Sequence, residues 1–105
     1  MQLPPFPDLP IETTDPDGRR VVFDGGTYLH LLRGRPELLR STFLILATVA
    51  LPTHREPDPI PGRERYFRPH GPAVSWLRVV VDFNDTPAWI VTAFFQDIPP
   101  RTWNP

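Results

Sequence analysis

The chain has 105 residues, a net charge of −1 and no cysteine. It is expected to form one domain, and disulfides, thiolate metal sites and cysteine nucleophiles are excluded. All eleven basic residues are arginine, which excludes a lysine Schiff base and a phosphate-binding lysine. Arginine suits bidentate contacts to phosphate, although a GC-rich genome produces the same bias.

The sequence carries no pattern typical of export or membrane insertion. Its longest apolar run, residues 43–51, is far shorter than the roughly 20 residues that a membrane span requires. The first five residues include no basic leader. We therefore expect a cytoplasmic protein, or one that is delivered to the cytoplasm of a target cell.

Charge is unevenly distributed along the chain. Residues 1–24 hold five carboxylates against two arginines, and residues 81–105 hold three carboxylates against one arginine. Residues 25–80 hold eight arginines against four carboxylates. The middle of the chain therefore predicts a basic patch on a nearly neutral protein.

Prolines divide the chain into an arm, a domain and a tail. Five prolines among residues 1–18 predict an extended N-terminal arm, followed by a single domain over 19–98 and a tail over 99–105. The turn residues 15–18 are compatible with a small hairpin that joins strands on either side of them. In the tail, Trp103 is expected to pack onto the body of the domain.

Two helices are predicted before the main sheet. Thr27 is expected to cap a short helix over residues 28–33, and a longer helix is expected over residues 36–50, with Pro36 in its first turn. The longer helix should lie against the apolar face of the sheet. Its apolar stripe consists of Leu39, Phe43, Leu46 and Ala50, with Leu38, Ile45 and Val49 beside it.

Three runs rich in β-branched and aromatic residues predict strands, namely 62–68, 74–83 and 89–95. The proline-rich segment 53–62 is expected to be irregular or to form an edge strand. His54 and His70 lie next to prolines and are interpreted as surface residues.

The last two runs predict an antiparallel hairpin. Pairing Val79 with Val91 and Val81 with Trp89 collects one apolar face. A shift of one residue would instead place Asp82 opposite Trp89, so the first register is preferred.

This register has a functional consequence on the face away from the core. It pairs Arg78 with Thr92 and Trp76 with Phe94. A charge in a central strand requires a partner, which Glu64 or Asp82 could supply if Arg78 has only a structural role.

The order of motifs resembles a known ribonuclease superfamily. The motifs are a helix with His30, an Arg-Pro-Glu-Leu helix start, Gly62-Arg-Glu-Arg-Tyr-Phe, Trp76-Leu-Arg-Val-Val-Val and Ile90-Val-Thr-Ala-Phe. They resemble the superfamily that groups barnase, EndoU, the tRNA-cleaving colicins and RelE-type toxins, in particular its phage and polymorphic-toxin branches. Two departures are Arg35, where histidine or lysine is common, and the near-neutral charge.

The resemblance implies an α+β fold, with two N-terminal helices packed on a four-stranded, mainly antiparallel, twisted sheet. It also implies metal-independent cleavage of RNA by attack of a 2′-hydroxyl, without a cofactor. The expected partners are RNA, such as tRNA or mRNA, and a cognate antitoxin or immunity protein.

Such cleavage needs proton-transfer groups and cations or donors for the phosphate. The catalytic candidates are His30 as acid or base, Arg65 and Arg78 as a phosphate clamp, and Thr92 as a hydroxyl donor. The candidates for RNA binding are Arg33, Arg63, Tyr66, Arg68, Trp76 and Phe94. Tyr66 and Arg65 alternate across a strand, so both reach the site only if a bulge intervenes.

Two other functions remain open from the sequence. A catalytically silent module could use an arginine-lined sheet face to bind RNA or an acidic protein, and the near-neutral charge favours this version. The proline-rich ends are also compatible with a phage structural or accessory protein.

Overall fold

The computed structural model describes residues 11–24, 26, 27, 34, 42–71 and 75–104. They form one mixed sheet and a helix that packs on it. In chain order the elements are β1 (Ile11–Thr14), β2 (Arg20–Phe23), α1 (Thr42–Ala50), β3 (His54–Pro57), β4 (Arg63–Pro69), β5 (Trp76–Asp82) and β6 (Ala88–Gln96). The strand order is β1-β2-β6-β5-β4-β3, and only the β2–β6 pair is parallel.

The predicted four-stranded sheet beneath two N-terminal helices is wrong. The sheet has six strands, because the β1–β2 hairpin joins one edge beside β6 and β3 forms the other edge. In the described part of the chain, α1 is the one helix, within the predicted span 36–50. Residues 28–33 and 36–41 lie outside the described residues. The parallel β2–β6 pairing joins distant segments, and no local pattern predicted it.

The N-terminal hairpin forms as the turn chemistry indicated. β1 pairs with β2 in antiparallel register, so residues 11–18 belong to the sheet and its turn. The Asp15 side chain accepts hydrogen bonds from the backbone N–H groups of Asp17 and Arg19. Gly18 has a φ of 81°, which a residue without a Cβ adopts easily.

The residue expected to cap the first helix has another role. The side chain of Asp24 accepts the backbone N–H of Thr27 at 2.9 Å, which is the spacing of an N-cap. Thr27 is buried, and its hydroxyl donates to the backbone carbonyl of Ile90 in β6. Thr27 therefore connects its segment to the sheet.

α1 packs on the sheet with a different stripe from the predicted one. Ile45, Thr48 and Val49 are buried, whereas Phe43 is 84% exposed. Phe43 precedes Ile45 by two residues and therefore points roughly 200° away around the helix. Because α1 is apolar on every side, its sequence did not determine which stripe faces the sheet. Within the described residues, no helix is long and apolar enough to cross a membrane.

The predicted β5–β6 pairing is wrong in register. Val79 pairs with Ala93 rather than Val91, and Arg78 pairs with Phe94 rather than Thr92. Beyond an irregularity between Val80 and Val81, the pairing shifts by one residue.

The shift has a packing reason. Asp82 pairs with Trp89, the arrangement that the sequence disfavoured, and Val91 has no partner in the ladder. The extra residue allows Ile90 and Ala93 to face the same core, although they are three positions apart; both are fully buried.

An ionic network around the buried Asp15 joins the β1–β2 turn to β4 and β3, which lie beyond β6 and β5 in the strand order. The Asp15 side chain is fully buried, and its Oδ2 accepts hydrogen bonds from Arg19 Nη2 at 2.6 Å and the Tyr66 hydroxyl at 2.7 Å. Burial alone would raise the pKa of Asp15, but the hydrogen bonds from Arg19 and Tyr66 outweigh it, and the pKa lies below its ordinary value. Since β6 and β5 separate β2 from β4, these bonds cross two strands.

Two arginines extend this network. Arg19 Nη1 donates to Glu64 Oε2 at 2.6 Å, and its guanidinium carbon lies 3.8 Å from the centre of the Phe83 ring. Arg55 Nη2 donates to Asp17 Oδ2 at 2.8 Å and to Glu64 Oε1 at 3.2 Å. The turn is therefore fastened to both β4 and β3.

Replacing Asp15 with asparagine should lower the free energy of unfolding by about 2 kcal/mol, because the buried side chain loses its charge-assisted hydrogen bonds with Arg19, which keeps Glu64 as a partner. Urea unfolding followed by circular dichroism measures the change. Glu12→Gln is the matched control: it removes an exposed partner of Arg20 and should cost less than about 1 kcal/mol. Equal losses in the two variants would contradict a structural role for the network.

The contribution of Asp15 should also depend on pH. Its folded pKa lies below its unfolded pKa of about 3.8, so its stabilising effect is complete above the unfolded value and is lost as the pH falls through the folded value. The stability gap between wild type and Asp15→Asn should stay constant from about pH 7 to about pH 5 and narrow below about pH 4. A gap that does not narrow in acid would show that the charge of Asp15 is unimportant.

Candidate functional site

Six of the ten predicted site residues lie on the sheet face that points away from α1. We call this surface the Arg78 face; of the predicted residues it carries Arg63, Arg65, Trp76, Arg78, Thr92 and Phe94. The strand pairing places Phe67, Arg78 and Phe94 in one row across β4, β5 and β6. The adjacent row contains Arg65, Val80 and Thr92. Although the predicted register was wrong, its error of two residues kept Thr92 and Phe94 on the correct face.

The guanidinium of Arg78 lies between two aromatic rings. Its carbon is 4.8 Å from the centre of the Phe94 ring and 5.5 Å from that of Phe67. Its Nε is buried and has no hydrogen-bond partner among the described residues. Burial and the nearby charge of Arg65 lower the pKa of Arg78, although the carboxylates of Glu56 and Asp58 partly oppose them. Arginine remains protonated under these conditions, so a partly desolvated cation stands in the centre of the face.

Neither carboxylate that the sequence offered as a partner pairs with Arg78. Glu64 binds Arg19 and Arg55 on the α1 side of the sheet. Asp82 binds Arg63 Nε at 3.1 Å. Within the described part of the chain, no carboxylate lies within ion-pair distance of Arg78.

Arg65 is held in place beside Arg78. Its Nε donates to Asp58 Oδ1 at 2.9 Å, and both side chains are largely buried. Burial alone would raise the pKa of Asp58, but hydrogen bonds from the Ile60 backbone and the Arg65 side chain lower it overall. The ion pair fixes the direction of the Arg65 side chain, whereas Arg78 is oriented by its aromatic neighbours.

Two titratable residues on this face were not predicted. His54 and Glu56 lie in β3, and the pairing places His54 beside Phe67 and Glu56 beside Arg65. His54 therefore extends the row of Arg78, with its ring 6.0 Å from that of Phe67. The prolines around β3 did not indicate that His54 lies beside the predicted site. If the segment forms an edge strand, however, the spacing of His54 and Glu56 places both side chains on one face of it.

The C-terminal segment covers part of the Arg78 face. Thr102 Oγ1 lies 2.8 Å from His54 Nε2, and the Trp103 ring meets the His54 ring edge-on at 5.5 Å. Trp103 also lies 5.0 Å from Trp76, which is only 6% exposed. The expectation that Trp103 packs onto the domain is confirmed.

The same segment engages Glu56. The carboxylate of Glu56 is buried and accepts the backbone N–H of Arg101 at 3.0 Å. Both newly found titratable residues are therefore in contact with the end of the chain.

Of the other four predicted site residues, two lie on the opposite face and two are outside the described residues. Tyr66 is fully buried on the α1 side and donates its hydroxyl to Asp15, and Arg68 shares that side. His30 and Arg33 lie outside the described residues. His70 stacks on Phe95 at 4.9 Å, away from Arg78.

A cavity of about 360 Å³ lies elsewhere, near the start of β6. Its two arginines, Arg19 and Arg20, are already paired with carboxylates, so it offers no uncompensated charge to a ligand. Among the described residues, no group of three histidine, aspartate or glutamate side chains could hold a metal ion.

Comparison with known proteins gives no match to a family model, a curated protein or a solved structure. The ribonuclease resemblance stays a prediction from the motifs, and the fold that it implied is not the one found.

If Arg78 binds a ligand rather than stabilising the fold, the Arg78→Met variant should have the same free energy of unfolding as the wild type, or a value up to about 1 kcal/mol higher. The reason is that the substitution removes a partly buried cation that has no ion-pair partner among the described residues. Arg63→Met is the control and should lower stability, because it leaves Asp82 without its partner. Chemical denaturation of both variants measures the effect. A loss for Arg78→Met as large as that for Arg63→Met would assign Arg78 to the fold.

Proposed function

We propose that this chain is a metal-independent endoribonuclease of the toxin type, in which Arg78 holds the phosphate at which RNA is cut. The strongest support is the state of Arg78: a central, partly desolvated guanidinium whose Nε has no partner among the described residues. Guanidinium groups bind phosphate through parallel hydrogen bonds, and such bonds gain strength where water is scarce. Arg65 lies on the neighbouring strand of the same face, where its ion pair with Asp58 fixes the direction of its guanidinium.

In the proposed reaction, the 2′-hydroxyl of one nucleotide attacks the adjacent phosphorus, and the bond to the 5′ oxygen of the next nucleotide breaks. One proton leaves the 2′-hydroxyl, and another is added to the departing oxygen. The products are a 2′,3′-cyclic phosphate and a 5′-hydroxyl. Arg78 and Arg65 stabilise the negative charge that builds on the phosphoryl oxygens, and the Thr92 hydroxyl is a further donor.

Proton transfer requires groups that exchange protons close to the phosphate. On the described part of the Arg78 face, the groups of this kind that no arginine side chain binds are His54 and Glu56, which lie beside Phe67 and Arg65. His54 is the candidate acid or base because it carries an imidazole. His30 is the residue that the sequence predicts for this role, and variants of both histidines distinguish them.

Base recognition would use the aromatic residues of the same face. Single-stranded RNA is commonly held by stacking of its unpaired bases on aromatic rings. Phe94 borders Arg78, and Trp76 lies one row away from it. This function places the protein in a cytoplasm that contains RNA. It also requires an antitoxin or immunity protein in the producing cell, whose acidic groups would cover Arg65 and Arg78.

A catalytically silent binding module is the second candidate. This candidate is favoured because His54 and Glu56 already bind Thr102 and Arg101 of the same chain and are therefore not free to transfer protons to RNA. In that case the Arg78 face binds RNA or an acidic protein through charge, and binding weakens steeply as salt is added.

The test is incubation of the full chain with a fluorescently labelled single-stranded RNA in the presence of EDTA. We expect fragments that end in a 2′,3′-cyclic phosphate, identified by mass spectrometry, and no cleavage of an all-2′-deoxy oligonucleotide. Arg78→Ala should slow cleavage by about 100-fold or more, since it removes a donor to the transition state. Removal of the proton-transfer histidine, by His54→Ala or His30→Ala, should also cost about 100-fold or more.

Arg68→Ala is the matched control, because it removes the same charge from the opposite face of the sheet. Its rate should stay close to that of the wild type. Intact RNA with the wild-type protein, or equal rates for Arg78→Ala and Arg68→Ala, would refute the ribonuclease proposal. Salt-sensitive binding without cleavage would favour the binding module.

A further inference from the structure

The C-terminal cap, which we define as residues 101–103, contacts three parts of the Arg78 face at once. Its hydroxyl group lies on His54, its backbone N–H binds Glu56, and its indole ring lies against Trp76. These are the groups to which the proposed function assigns proton transfer and base stacking. The cap and an RNA substrate would therefore compete for the same surface.

The chemistry of the cap imitates that of a nucleotide. A hydroxyl within hydrogen-bond distance of an imidazole is the contact that a ribose 2′-hydroxyl needs before it loses its proton. The Trp103 ring meets the Trp76 ring edge-on at 5.0 Å and fills the space beside it in which an unpaired base would stack. Thr102 and Trp103 supply these two groups from adjacent positions in the chain, as one nucleotide would from its sugar and base.

We propose that the C-terminal cap is a displaceable, self-inhibiting segment of the Arg78 face, and that single-stranded RNA binds by replacing it. This inference rests on the proposed function for the identity of the competitor. Trp103 occupies the base position on Trp76, and Thr102 occupies the hydroxyl position on His54. The described hydrogen bonds of the cap go to His54 and Glu56 and not to Arg78, so the cap fills the positions that flank the phosphate position.

The attachments of the cap are few and local. Apart from the contacts named above, Trp103 donates its backbone N–H to the carbonyl of Pro100 at 3.0 Å, which closes a turn within the segment itself. Ile98, in the link between β6 and the cap, is 76% exposed. Pro100, which lies between Ile98 and the cap, is buried. The cap is therefore displaced by rotation of the chain after Pro100, whereas the link before it stays in place.

The experiment compares the full-length wild type with Trp103→Ala, Thr102→Val and the control Ile98→Ala, which alters the link without touching the Arg78 face. The first readout is the rate at which diethyl pyrocarbonate modifies His54, followed by mass spectrometry, with His70 as the internal reference. The loss of one hydrogen bond or one ring contact should raise the rate at His54 by about threefold to tenfold. The rate at His70 and the rates in Ile98→Ala should not change.

The second readout is the affinity for a fluorescent single-stranded RNA whose cleavage is blocked by 2′-O-methyl groups. Trp103→Ala should bind it about threefold to tenfold more tightly than the wild type, because the competing ring is gone.

The two readouts separate the cap from the proposed function. If the modification rate of His54 is unchanged in both cap variants, the proposal that the cap covers His54 is refuted, whatever the RNA result. Weaker or equal RNA binding by Trp103→Ala also overturns it, because Trp103 would then belong to the binding surface. A faster His54 rate with no RNA binding by any variant supports the cap as a mobile cover and overturns the ribonuclease proposal.

Discussion

The fold depends on the ionic network that the β1–β2 turn makes across the sheet. Asp15 is buried with Arg19 and the Tyr66 hydroxyl, and Glu64 ties the same arginine to β4. An isolated buried carboxylate would be costly, so the network holds only while all its partners are present. It fastens the N-terminal hairpin to β4 and β3 on the α1 side of the sheet, whereas Arg78 lies on the opposite face.

On the α1 side every arginine of the network has a carboxylate, whereas Arg78 has none among the described residues. Its position between Phe67 and Phe94 desolvates it without neutralising it, and this favours an anion from outside. The C-terminal cap occupies the flanking positions near His54 and Trp76. The same face thus combines a phosphate position, proton-exchanging groups and a cover that belongs to the chain itself.

Local alternation predicted the facing of β5 and of the second half of β6. It placed Trp89 and Val91 on the core face, where Ile90 lies instead, and it did not predict which strands are neighbours. Leu77 and Val79 were correctly placed in the core, and Thr92 was correctly placed on the opposite face, because period-two patterning depends on each strand alone. The bulge at Val91 and the parallel β2–β6 pairing depend on packing between distant segments, which a single sequence does not display. For the same reason, the sequence interpretation missed His54, whose importance comes from its row in the sheet.

The most direct measurement of the central claim is an NMR titration of the arginine side-chain Nε–H signals with a dinucleotide that has 2′-deoxyribose at its first position. We expect a large, saturable shift of the Arg78 signal, because a phosphate bound to the guanidinium changes the surroundings of an Nε–H that has no partner among the described residues. The signals of Arg63 and Arg65 should move less, since their Nε groups already donate to carboxylates. An Arg78 signal that stays in place while the dinucleotide binds would contradict the account.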